Sequence, residues 1–197
     1  MTLSHVVAAR CALMTLPVLL AACSGSDTPA EPATSSTPTT AAPSTTTDPE
    51  KSAVAEATAF VTAYWQTVDQ LYTDPTLPID TLYEVAVDPE AASEAAAIQS
   101  FRASGYTQTG QSQVVSTTPG LVDLEVAAAG DLPFVKITAC IDVTQVGATS
   151  SAGAALTPGQ QSPFLVSELT IVNTAYPDSS SWRVSSAPNT QAQACPG

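Results

Sequence analysis

Histidine is nearly missing from this chain of 197 residues, which has one, His5, and only five lysines and arginines. Histidine is the usual general base and a common zinc ligand, so its absence beyond position 5 disfavours Ser-His-Asp and Cys-His nucleophilic centres and the usual zinc sites. The eighteen acidic residues give a net charge of −13. Phosphates repel a surface of this sign, so we expect no nucleic-acid partner.

The chain also lacks an apolar run long enough to span a bilayer. Its longest candidate, residues 12–20, follows Arg10 and is far shorter than the roughly 20 residues that a spanning helix needs. It leads into Leu20-Ala21-Ala22-Cys23, which resembles the lipobox of bacterial lipoprotein signal peptides. The resemblance implies cleavage after Ala22, diacylglycerol and palmitate-like acyl chains on Cys23, and a place at the outer face of the cytoplasmic membrane. An ordinary signal peptide, with Cys23 as a free thiol, is the alternative.

Residues 24–50 contain no aromatic and no large aliphatic side chain. Such a Ser/Thr/Pro/Ala tract cannot bury enough apolar surface to offset its ordering entropy, so it predicts a disordered tether. The threonines at 45–47 resemble glycosylated stalks of exported actinobacterial proteins, and an unmodified spacer is the alternative. We therefore divide the chain into a signal peptide at 1–22, the lipidated cysteine and tether at 23–50, and a single domain at 51–197.

Cysteine use fits an exported protein. Cys11 lies in the segment removed with the signal and Cys23 takes the lipid, which leaves Cys140 and Cys195. Two cysteines in an oxidising compartment predict one disulfide between them. The alternative, a reactive thiol, is disfavoured because no histidine and few basic residues are present to lower its pKa.

Hydrophobic periodicity divides the domain into a helical part and a part made of strands. Apolar residues recur every three or four positions from Ser52, which predicts a helix of about 20 residues ending at Asp74-Pro75. Two further helices are predicted at 80–87 and at 88–105. Beyond Gly105 the period is two, and Pro119-Gly120 and a small-residue loop at 147–161 are predicted as breaks. The predicted strands are 106–117, 121–128, 133–145, 163–175 and 181–186.

The third predicted strand alternates cleanly. Val135, Ile137 and Ala139 point to one side, whereas Lys136 and Cys140 point to the other. This pattern predicts an antiparallel sheet with one covered face, and the tail with the second cysteine must then cross the outer face. The expected fold is α+β, with three N-terminal helices packed on a strongly curved antiparallel sheet of four to six strands.

This order of elements resembles the nuclear-transport-factor-2-like fold, a cone of curved sheet wrapped on helices. The resemblance rests on the helix with Phe60, Tyr64 and Trp65, the strand at 135–142 and the closing strand at 181–184. More narrowly, the chain resembles secreted actinobacterial lipoproteins of that fold over residues 51–197. The fold family also contains ketosteroid isomerase and polyketide-cyclase-like enzymes, which use an Asp or His base with Tyr or Asp donors.

Few residues are candidates for a site. Aromatic side chains could line an apolar pocket at the wide end of the cone, or form plain core: Tyr64, Trp65, Phe101, Phe164 and Trp182. The acidic group Glu84, Asp88, Glu90 and Glu94 lacks the spacing of a calcium loop, so we interpret it as helix capping and a solvated face and expect no metal. Asp142 belongs to the outer face, so no catalytic residue and no cofactor are predicted.

These observations predict a lipid-anchored, extracytoplasmic binding or interaction module of the cell envelope without a defined catalytic activity. The expected partners are the membrane, through the lipid on Cys23, and an envelope protein or a small apolar ligand. One alternative is a carrier of such a ligand in the cone cavity. The other is an isomerase- or cyclase-like enzyme that uses a pocket carboxylate and a tyrosine.

Overall fold

Both α-helices of the described residues precede every strand in the structure, a computed structural model that describes residues 48–125, 131–156 and 162–196. A short 3-10 helix, Ser179–Ser181, lies just before the strand that begins at Trp182. Helix α1 spans Pro49–Thr73, a 3-10 helix spans Ile79–Glu84, and helix α2 spans Glu90–Ala103. The predicted signal peptide, Cys23 and most of the predicted tether lie outside the described residues. None of the described helices has the length and apolarity needed to cross a membrane.

Helix α1 begins two residues before the predicted domain boundary. The Asp48 carboxylate accepts a hydrogen bond from the Glu50 amide at 3.1 Å, and Pro49 takes the first helical position, where a missing N–H costs nothing. The helix ends at Asp74, directly before Pro75, as the sequence predicts. Its buried apolar stripe confirms the predicted periodicity and consists of Ala53, Ala57, Val61, Tyr64, Val68 and Leu71.

The two shorter helical segments follow turn signals in the sequence. The predicted second helix is a 3-10 helix that begins and ends earlier than expected, although Leu82 and Val85 are buried as predicted. Helix α2 starts after Asp88, whose Oδ1 accepts a hydrogen bond from the Ala92 amide at 3.2 Å. Gly105 follows α2 and ends the helical path. Its φ of 74° lies in the left-handed region that favours glycine.

The described strands form two antiparallel sheets. The larger has the order β2-β3-β6-β7, with β8 pairing to β6 as well, and the smaller has the order β1-β4-β5. This arrangement confirms the predicted α+β class, with helices packed against a sheet of five strands. The strands are β1 Tyr106–Thr109, β2 Gln113–Asp123, β3 Phe134–Asp142, β4 Gly147–Ser150, β5 Ala155–Leu156, β6 Phe164–Asn173, β7 Trp182–Ser186 and β8 Asn189–Ala192.

The inner face of β3 forms the centre of the core. Val135, Ile137 and Ala139 are buried beneath α1, whereas Lys136 on the other face is exposed. Cys140 belongs to the outer face and is still only 1% exposed, because a disulfide joins it to Cys195 with the two Cα atoms 5.6 Å apart. The predicted disulfide is therefore confirmed.

The boundaries of several strands differ from the prediction. Pro119-Gly120 is not a turn, because both residues lie inside β2, where the pairing register shifts between Pro119 and Val122. The predicted strand 106–117 breaks at Gly110, and the predicted loop 147–161 contains β4, which pairs with β1. Strand β8 was not predicted, since it has no apolar alternation and is held by backbone pairing to β6.

Candidate functional site

A cavity of about 220 Å³ lies between the second half of α1, helix α2 and the neighbouring ends of β1, β3, β6 and β8. We call it the α1 cavity. Except for Asn189, its lining residues are buried or half-buried. They are Tyr64, Trp65, Val68, Asp69, Tyr72, Glu94, Gln108, Ser112, Val143, Val146, Leu165 and Asn189.

One face of α1 supplies much of the wall. Tyr64, Val68 and Tyr72 are four residues apart, and Trp65 and Asp69 form the adjacent row, so all five side chains project from the same side of the helix. The rings of Tyr64 and Trp65 meet edge to face, with centroids 5.7 Å apart and planes at 76°. The helix therefore places three aromatic rings and a carboxylate along one wall.

Asp69 ties α1 to the strands that close the cavity. Its carboxylate is only 6% exposed and accepts three hydrogen bonds: from Gln108 Nε2 at 2.8 Å, from the Ser112 amide at 2.8 Å and from Ser112 Oγ at 2.7 Å. Between these two partners Gly110 adopts a φ of 72°, and a Cβ atom there would collide with the Gln145 carbonyl. The glycine is thus required for the turn that brings Ser112 to Asp69.

Glu94 faces the α1 cavity from α2. Burial raises the pKa of its carboxyl above the ordinary value, a hydrogen bond from Tyr72 lowers it, and the nearby charge of Glu90 raises it further. The same burial, with Glu94 beside it, raises the pKa of the Tyr72 phenol. The pair places a carboxyl group and a hydroxyl group in a cavity wall that is polar and apolar in about equal parts.

Glu90 lies next to the Tyr64 hydroxyl. It links α2 to α1 and to the residue that follows β7. Its Oε1 accepts a hydrogen bond from the Tyr64 hydroxyl at 2.7 Å, and its Oε2 accepts one from the Ala187 amide at 2.9 Å. Burial, followed by the charge of Glu90, raises the pKa of the Tyr64 phenol. The interpretation of the acidic group as a solvated face was therefore wrong for Glu90 and Glu94, although Glu84 is exposed as expected.

Trp65 has an unsatisfied donor. Its indole Nε1 is buried and finds no hydrogen-bond partner within residues 48–125, 131–156 and 162–196. Buried polar groups in native proteins nearly always have a partner in the protein, in ordered water or in a ligand. Two other buried side-chain atoms of the described residues, the hydroxyls of Thr58 and Ser167, share this property, and less than 1 Å² of the indole nitrogen is accessible, so the N–H does not open onto the α1 cavity.

The five aromatic residues predicted as pocket lining are not brought together. Tyr64 and Trp65 line the α1 cavity, whereas Phe101 packs against Tyr72, with ring centroids 5.2 Å apart. Phe164 pairs with Asp142 at the start of β6 and belongs by register to the outer face. Trp182 is buried elsewhere and donates from Nε1 to Glu56 Oε2 at 3.0 Å.

Sequence reasoning missed the polar half of the cavity. Asp69 interrupts the apolar stripe of α1, and a charged residue at a stripe position is a signal that could have marked it. Tyr72 lies on the same face of α1, but its neighbour Glu94 comes from another helix. The sequence does not show which face of α2 packs against which face of α1.

A second concave region lies on the outer face of the larger sheet. This groove of about 400 Å³ has Lys136, Glu168 and Leu121 in its lining, and all three residues are exposed. The Asp142 carboxylate, on the same face, accepts a hydrogen bond from the Thr144 amide at 2.8 Å, and this bond lowers its pKa. The outer face therefore lacks the convergence of buried polar groups found in the α1 cavity.

Comparison with known proteins adds little. No protein-family model and no curated protein matches the chain. Among solved structures, it is similar to the intermembrane space region of the chloroplast protein ARC6, with 14% sequence identity and a TM-score of 0.47, over 71% of this chain and 97% of that chain. At this TM-score we draw no conclusion from the likeness about fold, ligand or location.

Proposed function

We propose that this protein is a binding module of the bacterial cell envelope that takes a small ligand in the α1 cavity. The observation that carries the proposal is the meeting of three aromatic residues and two acidic residues around one cavity. Ligand sites typically combine an apolar wall with a few convergent polar groups, and this cavity has both.

The volume of the cavity limits the ligand. A dry cavity of roughly 150 Å³ admits a molecule the size of benzene. The α1 cavity, at about 220 Å³, suits a ligand only a few atoms larger. A drug-sized molecule or a lipid tail would extend out of the cavity, which is partly open to solvent.

The proposal includes the place where the protein works. The sequence Leu20-Ala21-Ala22-Cys23 after a short apolar run supports a lipid anchor on Cys23 at the outer face of the cytoplasmic membrane. Two or three acyl chains would hold the protein there stably, because each buried methylene contributes about 0.8 kcal/mol. The resemblance to nuclear-transport-factor-2-like lipoproteins of actinobacteria supports the same location.

Native mass spectrometry tests the binding function. The full-length protein is purified gently from the envelope of its host and weighed before and after denaturation. We expect a small molecule that leaves on denaturation, and we expect Trp65→Leu to lose it because the substitution removes an aromatic ring from the lining of the cavity. Trp182→Phe is the matched control, since Trp182 does not line the cavity. A bare mass for all three proteins would contradict the proposal and direct attention to protein partners of the outer surface.

The second candidate is an isomerase- or cyclase-like enzyme. The specific observation in its favour is the Glu94 carboxyl beside the Tyr72 hydroxyl, since a carboxyl with a raised pKa and a phenol form an acid–base pair. Incubating the protein with its recovered ligand separates the two functions. An enzyme converts the ligand to an isomer and Glu94→Gln abolishes the conversion, whereas a binding module returns the ligand unchanged.

A further inference from the structure

Strand β8 borders the opening of the α1 cavity. Its first residue, Asn189, lines the cavity and is exposed, unlike the rest of the lining. Asn189 pairs with Ser167 of β6, which pairs in turn with Ala139 of β3, and both of these residues are fully buried. Residues paired across strands point to the same face of a sheet, so Asn189 lies on the face that packs against α1. Strand β8 therefore lies between the cavity and solvent.

Little besides backbone pairing holds β8 in this position. Asn189, Thr190 and Gln191 are exposed and Ala192 is half-buried, so the strand places no large apolar side chain in the core. Within the described residues it pairs with β6 alone, over the four residues Phe164–Ser167. A short, exposed edge strand of this kind opens at a low free energy compared with the centre of a sheet. It therefore needs a further attachment to stay closed.

Two attachments lie on either side of β8. Before the strand, Ala187 is buried and its amide donates a hydrogen bond to Glu90 Oε2 at 2.9 Å. After the strand, Cys195 forms the disulfide with Cys140 of β3. We call residues 188–194, which lie between these two points, the strap. The first attachment belongs to the core, whereas the second is a bond that a reductant can break.

The register shows how the disulfide closes the strap. Thr190 of β8 is level with Val166 of β6, and Val166 is level with Cys140 of β3. Cys140 thus lies two strands away from β8 on the outer face, and the chain crosses the outer face of β6 to bring Cys195 to it. The bond therefore holds the end of the strap over the sheet and keeps β8 at the edge of β6.

The disulfide is accessible from one side. Cys140 is 1% exposed, whereas Cys195 is half-buried at the surface. The thiolate of a dithiol reductant can attack the sulfur of Cys195, which breaks the S–S bond and releases Cys140 as a thiolate that takes up a proton. The second thiol of the reductant then attacks the mixed disulfide and releases Cys195. The protein gains two thiols, and the reductant leaves as a disulfide.

We infer that the strap is a redox-controlled gate of the α1 cavity: the disulfide keeps β8 closed beside the opening, and reduction by a dithiol releases β8 and widens the opening. This inference rests on the proposed binding function and adds how that function is regulated. The oxidised protein retains its ligand, and the reduced protein exchanges it faster. The core stays folded on reduction, because the contacts of Ala187 and of the helices do not depend on the bond.

Fluorescence quenching by acrylamide tests the gate without a ligand. The chain has two tryptophans. Trp65 lines the cavity and its indole nitrogen is buried, whereas Trp182 is buried elsewhere and donates to Glu56. Trp182→Phe leaves Trp65 as the single tryptophan, and Trp65→Phe leaves Trp182, which serves as the matched control.

Both full-length variants are measured in a nonionic detergent before and after reduction with dithiothreitol, a dithiol. We expect the quenching constant of Trp65 to rise roughly twofold or more, because the released strap no longer covers the cavity. The quenching constant of Trp182 should not change, because its surroundings do not include the strap. The experiment therefore distinguishes local opening from unfolding of the whole domain.

A variant without the disulfide separates opening of the strap from other effects of the reductant. Cys140→Ala/Cys195→Ala in the Trp182→Phe background should show the raised quenching of Trp65 both with and without dithiothreitol. If this variant is quenched like the oxidised protein, the disulfide is not what closes the cavity and the inference is wrong.

Two further results would overturn the gate. Quenching of Trp65 that does not change on reduction would show that the bond does not control access to the cavity. An equal rise for Trp182 would show that the bond holds the whole domain together rather than the strap. None of these results bears on whether the cavity takes a ligand, which native mass spectrometry decides, so the gate and the binding function can fail separately.

Discussion

The carboxylate of Asp69 accepts three hydrogen bonds at a position that water scarcely reaches. Hydrogen bonds to a charged group are stronger than those between neutral groups, and the donors cannot turn to solvent if the acceptor is removed. A single side chain of α1 therefore fixes both the end of β1 and the start of β2. The shape of the α1 cavity depends on it.

Replacing Asp69 by alanine should lower the free energy of unfolding by about 2–4 kcal/mol, because it leaves the donors of Gln108 and Ser112 buried without an acceptor. Urea denaturation measures the loss. Asp80→Ala is the control: Asp80 is exposed in the 3-10 helix, so its substitution should cost less than about 0.5 kcal/mol. A loss for Asp69→Ala no larger than that of the control would contradict the role assigned to its hydrogen bonds.

Glu94 should make stability depend on pH in a defined direction. Its pKa is higher in the folded protein than in the unfolded chain, so its contribution favours the folded state below the ordinary glutamate pKa and is lost as the pH rises through the raised value. Glu94→Gln removes this titration. The variant should therefore gain thermal stability relative to the wild type as the pH rises from the ordinary glutamate pKa through the raised pKa of Glu94.

Thermal melting at a series of pH values, with Glu84→Gln alongside, measures this effect. A difference between Glu94→Gln and the wild type that stays constant with pH, or that shrinks as the pH rises, would show that Glu94 is not the group responsible.

At the scale of elements, β8 is the described strand whose pairing to the sheet depends most on the disulfide between Cys140 and Cys195. It has four residues, its burial pattern is mostly exposed, and it pairs with one end of β6 just before the chain reaches Cys195. Little apolar surface holds it to the sheet. The disulfide to β3 therefore supplies a large part of what keeps this strand paired.

The double variant Cys140→Ala/Cys195→Ala should lose about 4 kcal/mol of stability, the chain-entropy expectation for a cross-link across 55 residues. Hydrogen exchange tests where the loss begins. Amides in the centre of β3 should lose only the protection that matches the global loss of about 4 kcal/mol, whereas amides of β8 should be accelerated beyond that because the strand can open locally. Equal acceleration in both strands would mean that the bond stabilises the whole sheet rather than β8.

Hydrophobic periodicity predicted the helices and strands that bury one regular face. It missed the strands that are held mainly by backbone pairing. Helix α1 and strand β3 were predicted because their apolar residues recur at 3.6 and at two positions. Strands β4 and β8 were missed because backbone pairing holds them and their side chains show no alternation. Glu90 and Glu94 were taken as solvated because a helical pattern does not reveal that Tyr64 and Tyr72 of another helix will face them.

At the scale of the whole molecule, the fold class could be predicted from the order of helices and strands, whereas the α1 cavity could not. The α1 cavity is bordered by residues from position 64 to position 189, drawn from seven separate parts of the chain. The cavity exists because the packed helices and strands leave a space between their surfaces. No local sequence pattern encodes the size of that space. Only Tyr64 and Trp65 of the predicted lining belong to it.

The proposed lipid anchor is tested on the full-length protein. Cys23→Ser should move the protein from the membrane fraction to the soluble or secreted fraction, because the thioether to the lipid can no longer form. Cys11→Ser is the matched control and should leave the protein with the membrane, since position 11 lies within the proposed signal peptide. A membrane-bound Cys23→Ser variant would show that something other than this lipid retains the protein.

Pro119 has a consequence for the exposed edge of the larger sheet. Within the described residues, β2 pairs with β3 alone and forms one edge of the larger sheet, where Val115 and Leu121 are exposed. An edge of this length is a template for strand addition by a neighbouring copy, and the proposed lipid anchor would raise the frequency of such encounters by confining the copies to two dimensions. Pro119 has no N–H to donate, and the register shift beside it bends the strand. The interruption that sequence reasoning took for a turn thus opposes edge-to-edge pairing of β2.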